Sequence, residues 1–163
     1  MRKWIMVPVL LLGLLATSIS AQAKDDVFPW PWGTECPFPW QEIEGSYLVH
    51  GPKGGPYNSH IVSFDVVEEQ TQGKKHLFIS QYDRQGYLVA SGKGYSQKDQ
   101  RIVRGILKSE ETGRNYVVMV RTYAKGDKKS CRKAELATAI TFCPLRGKKC
   151  MEDSNYVLEQ LGD

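Results

Sequence analysis

From Glu42 to Asp163 the chain is cut into about eight short apolar–polar runs, spaced about 10 to 20 residues apart. The runs begin with "EIEGSYLVH" and "SHIVSFDVVEE" and close with "ELATAITFC" and "SNYVLEQL". Turns rich in Gly, Asn, Asp and Lys separate them, such as "DRQG" around Gly86, where a positive φ is expected. In the second run Ile61, Ser63, Asp65 and Val67 fall opposite Val62, Phe64 and Val66. Alternation of this kind belongs to strands with one face buried. Regular short strands with turn signals predict an all-β fold, a small antiparallel up-and-down barrel or sandwich. Closing such a sheet removes its aggregation-prone edges, which favours the barrel. Two runs are ambiguous: "CRKAELATA" is rich in helix formers, and "SNYVLEQL" fits a closing helical turn.

The N-terminus has a different character. "MRK" is followed by the 13-residue apolar run "WIMVPVLLLGLLA", then by small residues ending in Ala21-Gln22-Ala23. This is the three-part pattern of a secretory signal peptide over residues 1–23, cut before Lys24. The apolar run is shorter than the ~20 residues that a membrane-spanning helix needs. The mature chain would then hold 140 residues, enough for one domain. Its organisation is expected as a Pro/Trp-rich flap over residues 24–42, then a β domain over residues 43–163. Periplasmic or secreted localisation follows.

Four cysteines remain after the cut: Cys36, Cys131, Cys143 and Cys150. An even number in an exported chain reads as two disulfides. Cys143–Cys150 with Cys36–Cys131 is the favoured pairing, because "PLRGKK" can turn the chain back between the last two. Cys36–Cys150 with Cys131–Cys143 is the alternative.

The flap contains "FPWPWGTECPFPW", with Phe28, Trp30, Trp32, Phe38 and Trp40 among four prolines. Proline removes backbone donors, so this stretch is expected to be extended and to lie outside the sheet ladder. Its rings are expected to face inward over one end or face of the barrel, since exposed together they would make a sticky patch. Tryptophan is also favoured in binding contacts. Trp30, Trp32 and Trp40, with Tyr47 on the first strand, are therefore the candidate ligand-binding residues.

Charge is unevenly spread: residues 24–93 carry 6 basic and 9 acidic groups, and residues 94–163 carry 14 and 9. This is not the balance of a dedicated nucleic-acid binder. Lys128, Lys129, Arg132, Lys133, Arg146, Lys148 and Lys149 form a candidate anion- or partner-binding patch if the disulfides draw their loops together. His50 and His60 flank "GPKGGPYNS" and, with Tyr57, would give at most a two-nitrogen site, too few for stable zinc. No metal or cofactor is implied. The motifs GxSxG, HExxH and GxxxxGK[ST] are absent, so no enzyme class is indicated.

"IEGSYLV" resembles the first strand of the calycin barrels, the lipocalin-like group. Gly45-Ser46-Tyr47 stands where that group carries G-x-W, with tyrosine replacing tryptophan. "TGRNYVVMVRTY" is loosely similar to a later tyrosine-bearing strand of those barrels, although no T-D-Y motif is present. The resemblance implies a non-catalytic barrel with an interior pocket. The expected function is that of an exported, non-enzymatic binding module for an apolar small molecule or an envelope component. The alternative is a periplasmic or secreted inhibitor, or a protein-interaction domain, acting through exposed loops such as Gly51–Pro56. Intact-mass spectrometry of the exported protein should give the mass of Lys24–Asp163; a chain retaining residues 1–23 would refute the assigned cut.

Overall fold

A computed structural model describes residues 33–126, 130–146, 149–150 and 154–162. Residues 1–23, expected to be a signal peptide, lie outside the described residues, with Phe28, Trp30, Trp32, Lys128, Lys129 and Lys148 and the side chains of Lys149 and Cys150. Ten strands run in order: β1 (Glu35–Cys36), β2 (Gly45–His50), β3 (Ile61–Glu68), β4 (Lys75–Tyr82), β5 (Leu88–Ser96), β6 (Ile102–Ser109), β7 (Asn115–Ala124), β8 (Leu136–Arg146), β9 (Lys149–Cys150) and β10 (Ser154–Gln160).

Eight of these close into an antiparallel barrel. Strands β2 to β8 follow one another around the wall as a meander, each bonded to the next. Strand β10 then pairs with β8 through Tyr156↔Ile140 and with β2 through Leu158↔Val49, which completes the ring. The barrel alternative is therefore the one realised, not the sandwich. Neither ambiguous run is helical: residues 131–135 belong to the β7–β8 connection, Leu136 to Ala139 open β8, and "SNYVLEQL" supplies β10. β8 is bonded along both edges, and two ladders outweigh the helix propensity of its Ala and Leu residues. β9 forms a short hairpin with the end of β8.

Register fixes what fills the barrel. Partners such as Phe64↔Ile79, Gly105↔Val118 and Val120↔Ile140 share the inner face. Tyr47, Val49, Val62, Phe64, Leu77, Ile79, Val103, Leu107, Val118, Val120, Ile140, Phe142, Tyr156 and Leu158 belong to one buried cluster. Gly94 and Gly105 are small because Ile79 lies across them. A Cβ on Gly94 would stand 3.2 Å from Ile79 Cδ1 and 2.8 Å from Val103 Cγ1, and one on Gly105 would stand 3.1 Å from Ile79 Cδ1. Large residues thus interlock with small ones on nearby strands of the wall. Gly86 has φ 85°, as its turn requires.

The two ends of the barrel differ. At one end lie the β3–β4, β5–β6 and β7–β8 connections, the exit of β10, and the residues leading from β1 into β2. Phe38 is buried there and its N–H donates to Gln100 O at 3.0 Å, while Ile43 N–H donates to Pro39 O at 3.0 Å. Tyr47 Oη reaches back to donate to Ile43 O at 2.9 Å. This is the capped end. The opposite, open end carries the β2–β3, β4–β5 and β6–β7 connections.

The flap departs from expectation in one respect. Glu35 and Cys36 do join the ladder, opposite Tyr123 and Thr122, on the edge of β7 just past the start of β6. The reason is local: "WGTEC" between Pro31 and Pro37 is free of proline and keeps its N–H donors. Cys36, 1% exposed, is disulfide-bonded to Cys131 in the β7–β8 connection, across a sequence separation of 95. This is the favoured pairing of Cys36, and it excludes the alternative scheme. Cys143 is also disulfide-bonded, and the described cysteines include no free thiol.

A loop that long restricts the unfolded chain by roughly 4 kcal/mol. The Cys36→Ser/Cys131→Ser variant should lose stability of that order in urea unfolding monitored by circular dichroism. A loss of less than about 1 kcal/mol would show that the staple does not hold the cap.

Candidate functional site

The open end carries a polar set beneath an aromatic layer. Strand alternation carries Leu77, Ile79 and Gln81 along the inner face of β4, so Gln81 reaches the core, 1% exposed. A buried amide needs partners. Tyr116 Oη–H, from the start of β7, donates to Gln81 Oε1. Gln81 Nε2–H in turn donates to His60 Nδ1 at 2.9 Å. This chain of bonds places the imidazole proton on His60 Nε2. Burial lowers the His60 pKa from its ordinary value, and Arg84 adds to this while Asp83 opposes it, so the ring is neutral at pH 7.

Tyr57, in the β2–β3 connection, lies above this set. Its ring stacks on Phe142 at 4.2 Å and meets His60 edge-on at 5.9 Å and Tyr156 at 5.7 Å. Burial raises the pKa of the Tyr57 and Tyr116 phenols, which stay protonated as donors. The β2–β3 connection is itself tied down. Asn58 Nδ2–H donates to Pro52 O at 2.6 Å, and Arg84 Nε–H donates to Asn58 O at 2.9 Å.

A cleft of about 390 Å³ opens over these groups. Tyr57, His60, Gln81 and Tyr116 line it, with Glu111 and Arg114 from the β6–β7 connection, Asn115 at the start of β7, and Pro144 and Leu145 from β8. Val89 also reaches it, from a bulge where Tyr82 pairs with Leu88 but Gln81 pairs with Ala90. Bulges often re-aim side chains next to binding sites. Aromatic walls with a few oriented polar groups are the usual make-up of a small-molecule site.

The residues singled out from the sequence fall elsewhere. Trp40 sits at the capped end, half-buried against the core and edge-on to Phe38 at 4.9 Å. Trp40 packs one side on the core and lines two surface clefts with the other, so it faces inward only in part, whereas Trp30 and Trp32 are outside the described residues. Tyr47 is 4% exposed and supports the cap, while also lining a cleft of about 600 Å³ between the cap and β10. The charged groups of that cleft are partly engaged: Lys125 pairs with Glu135 within it, and Glu159 is hydrogen-bonded at 2.6 Å to His50, which lies outside it.

Among the described residues the basic patch falls into two groups: Arg132 and Lys133 follow Cys131 at the capped end, whereas Arg146 ends β8 and Lys149 opens β9 at the other end. At about 3.3 Å per residue the strand between them keeps the two groups roughly 30 Å apart. His50 faces outward to Glu159 while His60 bonds Gln81, so the two histidines do not converge. Among the described residues no group of three or more potential metal ligands comes together, and no helix is long and apolar enough to cross a membrane.

Sequence reading missed Gln81 and Tyr116. The signal was a polar residue in the apolar phase of "HLFISQY". No family model, curated protein or solved structure matches this chain.

The lowered His60 pKa fixes a pH dependence. Below the unfolded-state pKa of about 6.5 the unfolded chain takes up a proton that the native ring resists, so stability falls as pH drops through that window. The melting temperature should decrease from pH 7.5 to pH 5, and less steeply in a His60→Gln variant. Equal slopes in the two proteins would refute the assignment.

Proposed function

We propose that the chain is an exported, non-enzymatic binding module that receives a small ligand at the open end of its barrel. The observation behind this reading is the buried chain Tyr116–Gln81–His60 beneath an accessible aromatic cleft. Besides Gln81, the buried side chains of the described residues include only four polar ones, His76, Ser80, Thr122 and Thr141. A satisfied polar network in such a core fixes the orientation of its members, at a cost an apolar core would avoid. Here the oriented groups line the only part of the barrel interior they would need to serve, its mouth. His60 is held by an amide, which orients the ring but cannot exchange a proton with it as a carboxylate would. That arrangement supports recognition over acid–base catalysis.

A ligand sunk deep along the axis, as the calycin resemblance implies, is less well supported, because Ile79 fills the space over Gly94 and Gly105. Export is supported by the Cys36–Cys131 bond, which is compatible with an oxidising compartment, and by the signal-like N-terminus. A second reading is an inhibitor or protein-interaction domain. It is favoured by the tethering of the β2–β3 connection through Asn58 and Arg84, which leaves Pro52, Lys53 and Gly54 exposed on a fixed loop.

A fragment library of small cyclic amides, phenols and sugars, screened by amide chemical shifts on the ¹⁵N-labelled domain, tests the first reading. Hits should perturb Tyr57, His60, Arg114 and Tyr116 together, and Arg114→Ala should weaken the best hit by about 10-fold, the range of one charge-assisted hydrogen bond. Hits confined to other surfaces would overturn it.

A further inference from the structure

We propose that Trp40, Tyr95, Lys74 and Lys75 form a second binding site, at the capped end, for a saccharide ring that bears a carboxylate. Trp40 stands between two clefts and lines both, one of about 470 Å³ and one of about 340 Å³; Lys75 lines both as well. The backbone that carries the indole is held in place, and its ring packs edge-on against Phe38 at 4.9 Å. The backbone N–H of Trp40 donates to Phe38 O at 3.0 Å, Phe38 is packed into the core, and the following turn is closed by Glu42 N–H to Pro39 O at 3.0 Å. The second ring, Tyr95, is 46% exposed and rests on buried His76 at 5.3 Å. Two positioned aromatic surfaces cost little entropy on binding, and a sugar presents apolar C–H faces to such rings.

Charge selects the kind of sugar. The larger cleft is lined by Trp40, Gly73, Lys74, Lys75, Tyr95, Ser96 and Gln100, with two ammonium groups and no carboxylate. Among the described residues neither lysine makes an ion pair, although Glu68 lies across the strand from Lys75. Ser96 and Gln100 supply neutral partners for hydroxyl groups. The smaller cleft holds Gln41 and Glu42 beside Lys75. Glu42 would repel a second acid, so a neutral ring fits there. The arrangement suits a uronic-acid ring in the larger cleft joined to a neutral sugar in the smaller one. This site is independent of the open-end cleft.

The test uses D-glucuronate, its methyl ester and the disaccharide of glucuronate linked to glucose, titrated into the ¹⁵N-labelled domain. The indole N–H of Trp40, assigned with Trp40→Phe, is the readout, and Tyr57 reports the open end separately. Expected results are a shift at Trp40 with the acid, tighter binding of the disaccharide, and at least about 10-fold weaker binding of the ester. Raising salt from about 0.1 M to 0.5 M should also weaken binding of the acids. The surface variant Lys74→Ala/Lys75→Ala should weaken the acids about 10-fold with the circular dichroism spectrum unchanged. No shift at Trp40, equal binding of acid and ester, or full binding by the double variant would each overturn the proposal. Shifts at Tyr57 alone would overturn it while leaving the open-end reading intact.

Discussion

The structure depends on one strand bonding in two directions. Ser154–Gln160 satisfies β8 on one edge and β2 on the other, and that double pairing turns a meander into a barrel. An open sheet would leave two rows of N–H and C=O groups facing water or another molecule. Once closed, the wall gives each strand an inner and an outer face with a fixed register. Shifting one strand by a residue would turn Val62, Phe64 or Ile79 outward and bring charges such as Asp65 inward. Closure therefore also determines which polar residues reach the interior, Gln81 foremost among them.

Much of this was legible in the chain. Alternation in "SHIVSFDVVEE" gave a strand and its two faces, because period-two burial is a local property. The glycine of "DRQG" marked its turn for an equally local reason. The pairing of Cys36 was narrowed to two options by parity and spacing, and the structure selects the favoured one. What stayed illegible was non-local. "CRKAELATA" reads as a helix in isolation, but its first five residues form a turn and the ladders of β8 hold Leu136 to Ala139 extended. Arg132 and Lys133 are near Arg146 and Lys149 in sequence, but the length of β8 lies between these two described pairs.

The candidate site shows the same division. Gln81 could have been flagged by its phase on an otherwise apolar face, but its partners could not. His60 and Tyr116 lie 21 and 35 residues from it in sequence, and only the closed wall brings them within bonding distance. The tryptophans drew attention by composition. Trp40 proves to be part of a lid whose inner surface packs on the core and whose outer surface lines clefts. Structural and recognition roles are compatible in such a residue, since the rigidity that stabilises the cap also presents the indole.

The Cys36–Cys131 bond has a consequence in time. A chain emerging from its N-terminus delivers Cys36 long before Cys131, with strands β2 to β7 between them. The sulfur that will hold the cap must therefore wait while most of the wall is made. The first strand of the ring waits longer still, because its partner β10 is the last strand to appear. Most contacts along the meander form between neighbours and can assemble early. The cap and the seam are late events, so any factor that protects Cys36 or the free edge of β2 would act during that interval.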